Sequence, residues 1–364
     1  MSVIDLRPFS KKRINQYIDK FMKMNKKSKW NENLSWTTQQ YAAALKKYPS
    51  LYKMMEEPFL LRMILTILPS FSKQYPLATK ISKAQVYEAF NKQWIDSRVK
   101  KIANQLKEMH PQKIKFAFQQ YCQELAFEMF IQGNQTAIEN DKEYKKINIC
   151  TKPDPTIEME IKCVEKKSKN MNLTQNVWER YFNGDSIAKY VLRRVGDNEY
   201  QFLHKSCQEY YASQKIIFDI ISWTSDMIDI DDQEFQKQFE QYIPNLSINC
   251  KLLNEEIGII QFIAERIHDT NKIYTNLESR LFRIIKASKN SEHINIAAAN
   301  AITILNSANV NMNDKDWSNI KIPGAILDRA FLEGTNFTNA NLDNVHFVQA
   351  CLNKANFTNA SMKG

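Results

Sequence analysis

The sequence predicts a mainly α-helical protein with one small β-hairpin of the winged-helix kind and a four-sided β-helix at its C-terminal end. Three observations predict this. Apolar residues recur at helical spacing through most of the first third of the chain. Near residue 200 two short strands flank a Gly-Asp-Asn turn and run directly into a helix. From Ala325 the period becomes five and stays five to the last residue.

Composition sets the bounds. The chain has 364 residues, 43% hydrophobic and 25% charged, which suits two or three domains with real cores. The longest apolar run, residues 59–68, is short and contains Arg62, so it reads as a buried helix and not a membrane span. No secretory signal is visible at the N-terminus. The six cysteines are scattered without a C-x-x-C, which reads as reduced thiols in the cytoplasm. The net charge is +10, and residues 1–53 hold twelve Lys or Arg against three Asp or Glu. That cluster lacks interleaved stacking aromatics and reads first as a solvated helical face. Nucleic-acid binding through it is the alternative.

The helices follow in order. Ser10 caps an amphipathic helix over 10–25, with Ile14, Tyr17, Ile18, Phe21 and Met22 on one face. A second covers 38–48, with Tyr41, Ala44, Leu45 and Tyr48 inward. In EEPFLLRMILTILP, Pro58 suits a first helical turn and Pro69 should end the helix. Ser82 caps a long helix over 83–107, with a stripe of Val86, Phe90, Trp94, Val99, Ile102 and Leu106. After Pro111 another helix turns Ile114, Phe118, Tyr121, Leu125, Ala126 and Met129 inward and stops before Gly133. Residues 134–172 are polar and lysine-rich and read as an insertion or long loop.

The stretch FLHKSCQEYYA, 202–212, follows the strand pair. Ser206 and Glu209 form an S-x-x-E capping box, so the helix is expected to begin at about Cys207 and run to about Trp223. His204 then stands at the helix mouth, where exposed N–H groups favour an anion such as phosphate. Beyond 224 the chain reads as further helices, of which the alanine-rich 295–308 suits tight packing.

From Ala325 the tail cuts into eight fives: AILDR, AFLEG, TNFTN, ANLDN, VHFVQ, ACLNK, ANFTN and ASMKG. The third residue is Leu, Phe or Met, and the first is small. A period of five fits a coil in which each pentapeptide forms one of four sides and both of these residues face the axis. Ile320 and Ile322 suggest one earlier rung. The array runs to Gly364 uncapped, which reads as truncation.

These residues carry two resemblances. The tail resembles the pentapeptide-repeat family, which implies a right-handed quadrilateral β-helix. LRPFSKKRINQYIDKF from Leu6, EEPFLLRMILTILP, and YEAFNKQW with FLHKSCQEYYA resemble the part of a NACHT-type STAND NTPase that lies after its P-loop core. That resemblance implies four segments: a helical subdomain at 1–75, a winged-helix-like one at 76–224 with its insertion at 134–172, a helical array at 225–316 and the solenoid at 317–364. It implies that His204 contacts the β-phosphate of ADP and that Pro58 lies against the adenine. Cys207 stands where the family usually has an aromatic residue.

No G-x-x-x-x-G-K-[ST] occurs among the seven glycines, so this sequence holds no phosphate-cradling loop and is not expected to be an enzyme. No cofactor is intrinsic to it, and ADP or ATP enters only with an upstream NTPase core. Cys207 lacks a separate base and reads as structural, and the other histidines are too isolated for a metal site. The expected role is a regulatory and interaction segment of a STAND signalling protein, binding protein partners or itself. A stand-alone scaffold is the alternative. DNA reading by the helix after His204 is disfavoured, since it carries Gln208, Glu209, Tyr210 and Tyr211 with Lys215 as its main cation.

Overall fold

The computed structural model describes residues 8–26, 36–74, 80–105, 111–138, 192–196, 199–222 and 233–364. The chain divides into two compact units, Met1–Gln105 and Leu106–Gly364. This division falls inside the span 76–224.

The first unit is helical. Helices α1 (Lys11–Lys26), α2 (Thr38–Lys46), α3 (Leu51–Met54), α4 (Pro58–Gln74) and α5 (Lys83–Gln105) build it. Ile14 and Ile18 bury the inner face of α1, and Tyr17 and Phe21 lie half-buried beside them. Thr37 and Gln40 cap α2 reciprocally, as Ser82 and Gln85 cap α5. Helix α4 is the core element, with Leu60, Leu61, Met63, Ile64, Leu65 and Leu68 all buried. The expected stop at Pro69 does not occur, and α4 continues through the proline to Gln74. A proline inside a helix costs about 3 kcal/mol, but the next turn buries Phe71, which offsets much of that. In α5 the real stripe is Ala84, Val86, Tyr87, Ile95 and Val99. Trp94 is only half-buried, with Arg98 stacked over its ring at 5.5 Å. Of the expected stripe, the side chains of Ile102 and Leu106 lie outside the described residues.

In the second unit α6 (Pro111–Gln132) ends at Gly133, whose φ of +70° is the left-handed conformation that closes a helix. The six expected inward residues of α6 are all buried. A small sheet follows, of β1 (Ala137–Ile138), β2 (Arg193–Gly196) and β3 (Glu199–Gln201), in the order β1-β3-β2 and antiparallel throughout. The hairpin thus gains a third strand from residues 137–138, the start of the stretch read as a loop. Tyr200 of β3 pairs with Ala137, so the sequence-distant β1 finds its partner only in three dimensions. Residues 139–172 of the insertion, with Asp197 and Asn198 of the turn, lie outside the described residues.

Helix α7 (Lys205–Ser222) is the hub and packs on α6, on α9 (Ile257–Ile267) and on α10 (Leu277–Ala287). Helix α8 (Gln233–Tyr242) packs on α10, and α11 (Asn295–Ser307) packs on α9 and α10. Alanines 297, 298, 299 and 301 are fully buried and let α11 approach its neighbours closely.

The tail contains no continuous strand. Single parallel bridges join residues twenty apart, such as Asp316 with Asn336 and Asn336 with Asn356. One circuit therefore takes four pentapeptides. Of the expected β-helix, these bridges and the hydrogen bonds between circuits are what forms. The pattern begins before the rung suggested by Ile320, because Met312 N–H already donates to Phe331 O. A left-handed residue recurs every five positions from Asn309, among them Asp314, Asn319, Gly324, Arg329 and Gly334. Asparagine and glycine concentrate there because both tolerate that conformation at little steric cost. Trp317, Phe337 and Phe357 stack up the axis, the last pair at 5.2 Å and nearly parallel.

Candidate functional site

His204 lies at the entry to α7, but the capping box expected there does not form. The helix begins at Lys205, two residues early. His204 itself supplies the cap: its Nδ1 accepts from Ser206 N–H at 3.2 Å and lies 2.5 Å from Ser206 Oγ. The imidazole reaches the N–H groups first, so Ser206 has turned toward the ring. Glu209 turns the other way, pairing with Lys205 at 3.5 Å and lying against Gly258 in the first turn of α9. A Cβ on Gly258 would sit 2.3 Å from a Glu209 oxygen, so glycine is what admits the carboxylate. An acid at this helix start is favoured by the α9 dipole.

With Nδ1 accepting from a backbone N–H, the neutral ring carries its proton on Nε2. His204 is exposed at the helix entry. Cys207 is buried and its thiol is pushed up to about 12 by that burial. The thiol is packed and held protonated by that burial.

Beside this entry lies a small half-open cavity of about 100 Å³ between the end of α6 and the starts of α7 and α9. Met129, Phe130 and Ile259 give it an apolar floor, and Lys205, Glu209 and Glu256 stand at its polar side. Gln208 donates to Asn134 O at 3.0 Å across one edge. The sequence signal missed here is the pairing of Glu209 with Gly258, which are 49 residues apart and share no motif.

Deeper in the same unit, Lys215 of α7 lies between Glu124 of α6 at 2.8 Å and Asp219 at 3.1 Å. Asp219 in turn accepts from Ser247 Oγ. Burial works to lower the Lys215 pKa, but the two carboxylates outweigh it and the ammonium ends above its usual range. Such a lysine is a fixed cation and cannot serve as a base.

Pro58 belongs to the first unit. It is the exposed first residue of α4, preceded by Glu56 and Glu57. Lys83 pairs with Glu57 at 3.6 Å. Among the described residues no three His, Cys, Asp or Glu side chains gather as a metal site, and no helix is long and apolar enough to cross a membrane.

The outer surface of the coil is polar, with short side-chain ladders between circuits. Asn336 donates to Asp316 at 3.0 Å and Arg329 to Gln349 at 3.0 Å. Exposed apolar side chains on it include Phe331 and Val348. Residues 325–364 match the family of pentapeptide repeats, in eight copies. No curated protein matches the chain.

Proposed function

We propose that this chain is a non-catalytic regulatory and interaction segment of a signalling protein of the STAND, NACHT-like type. The pentapeptide tail, read as a right-handed quadrilateral β-helix, offers the surface for protein partners or self-association. His204 reads the phosphates of ADP or ATP held by a P-loop domain outside these residues, and Pro58 meets the adenine. The setting is cytoplasmic, in keeping with free thiols at Cys122, Cys207, Cys250 and Cys351.

The observation that carries the interaction half is the coil: a rigid, regular stack whose outward residues take no part in its core. The nucleotide half rests on the resemblance and is supported by the exposed place of His204 at the entry of α7. The role of Pro58 rests on the resemblance alone.

ADP titration by calorimetry tests the nucleotide half. This chain alone should leave ADP unbound. The full gene product, if its reading frame encodes a P-loop before Met1, should bind it. His204→Asn keeps a capping side chain but removes the imidazole, and it should weaken that binding about tenfold. Equal affinity in the two proteins, or a reading frame without a P-loop, leaves the scaffold alone as the function.

One observation favours a second reading. Residues 1–53 hold twelve Lys or Arg against three Asp or Glu, and α1 exposes Lys11, Lys12, Arg13, Lys20 and Lys23. Such a surface suits nucleic acid. A salt titration with duplex DNA and RNA should then show affinity falling steeply with salt, and a flat dependence rejects it.

A further inference from the structure

Every circuit of the coil bonds to the one before it by a fixed set of main-chain groups. From Asn336 on, the second residue of each pentapeptide donates its N–H back to a carbonyl, as Asn341 does to Ile320 O at 2.8 Å. The carbonyls of the second and fourth residues accept from the preceding circuit. Asn341 O accepts from Ile322 N–H and Asp343 O from Gly324 N–H. The first circuit, 311–330, has no circuit before it. Its corresponding groups should therefore be orphans, each costly to bury.

Five of them are met by the helices. Lys321 N–H donates to Ser288 Oγ at 3.1 Å, and Ile326 N–H donates to Thr303 Oγ1 at 2.9 Å. Ile326 O and Asp328 O both accept from Asn306 Nδ2, at 3.2 and 3.0 Å. Asp316 O accepts from Lys289 Nζ at 3.1 Å. These are second- and fourth-position groups, the ones a preceding circuit would have met. The hydroxyls take the place of carbonyls, and the amide and ammonium take the place of N–H groups. Each hydroxyl is held ready: Ser288 uses its own proton on Ile285 O and Thr303 on Ala299 O, so each turns a lone pair to the coil. The fourth side of the circuit is entered by the chain itself, where Val310 N–H donates to Leu305 O at the end of α11.

We infer that the end of α10 and the face of α11 form a side-chain imitation of one pentapeptide circuit, a template on which the coil folds and which fixes the rotational register of its four faces. The coil grows from this template in one direction only. The Asp316, Lys321 and Ile326 faces are each assigned a partner on the helices. A partner bound to any face of the coil is thereby held in fixed orientation to the α7–α11 array. This inference does not depend on the nucleotide role of His204.

Amide hydrogen exchange on the full chain tests it. Thr303→Val with Asn306→Leu removes the α11 half of the imitation, and adding Ser288→Ala with Lys289→Met removes the rest, without opening a large hole. Exchange should speed up at least about tenfold in 311–330, then pass on to 331–364, while α9 and α11 keep their protection. Thr303→Ser retains the hydroxyl and should restore protection at Ile326. Unchanged protection of the coil would show that it folds without the template. Loss of protection in α11 together with the coil, unrelieved by Thr303→Ser, would show a core effect and overturn the inference as well.

Discussion

The coil and the α6–α7 pair bury their side chains by different rules. In the coil each inward residue meets the one twenty positions on, and the same step repeats. From Ala325 to Leu342 the inward side chains are alanine, leucine, threonine and phenylalanine, and Thr335, the polar exception, donates to Met312 O at 3.0 Å. In the helix pair the contacts do not repeat, and the apolar surface is interrupted by Lys215 between Glu124 and Asp219. The coil fixes its register by counting residues. The helix pair fixes its register by one polar network that no other alignment would satisfy.

The largest expected effect sharpens that comparison within the coil. Phe337 is fully buried and touches rings above and below, so Phe337→Ala should cost about 3–5 kcal/mol in urea unfolding. Phe357 is only half-buried, and Phe357→Ala should cost clearly less. Equal losses would mean that stability is not graded along the stack.

Lys215→Ala addresses the other side. It strands two poorly exposed carboxylates and should cost about 3 kcal/mol. Because the folded-state pKa of Lys215 is raised, its contribution is fully present below the usual lysine range. It is lost as pH rises through the folded value. Wild type should therefore lose stability at alkaline pH, and Lys215→Ala should flatten that loss. An identical alkaline profile in both proteins would remove the network as the lock.

Backbone strain comes next. Gly334 has φ +68°, and a Cβ there would meet Asp314 Oδ1 at 2.2 Å, so Gly334→Ala should cost about 1–2 kcal/mol. Asn339, with φ +58° on the same five-residue step, should accept Asn339→Gly with little change.

The smallest effect is on the acid side. Hydrogen bonds from Lys289 and Ser318 hold the Asp316 carboxyl down to about 2. Its stabilising contribution is present above the unfolded carboxylate value and is lost as pH falls through about 2. The side chain is 65% exposed, so the effect on stability is slight. An NMR titration reads it directly, and Lys289→Met should move the midpoint up. The helix pair thus weakens in alkali and the edge of the coil in acid.

Legibility in the sequence follows the same division. The inward positions of the coil could be read residue by residue as far as Leu342, because its period is local and every fifth position carries the same demand; beyond it Phe347, Leu352 and Phe357 are half-buried and Met362 is exposed. The buried faces of α1, α2 and α6 were legible for a similar reason, since 3.6-residue spacing survives in any packing. The cap at His204 was not. Ser206 and Glu209 have the right letters for a capping box, but which side chain reaches the first N–H depends on how the strand enters the helix. The continuation of α4 past Pro69 escaped too, because a pocket for Phe71 is a property of the folded unit.

By itself the sequence determined the helical faces, the strand pair leading into α7, and the five-residue step of the tail. These are repeats of chemistry along the chain, and they need no knowledge of what lies across it. Only the tertiary structure decided that β1 joins the sheet, that Glu209 sits against Gly258, and that Ser288, Lys289, Thr303 and Asn306 start the coil. Each of those unites groups far apart in sequence. Such pairs carry no local period, because their partner is chosen by distance and by the cost of leaving a buried polar group unmet.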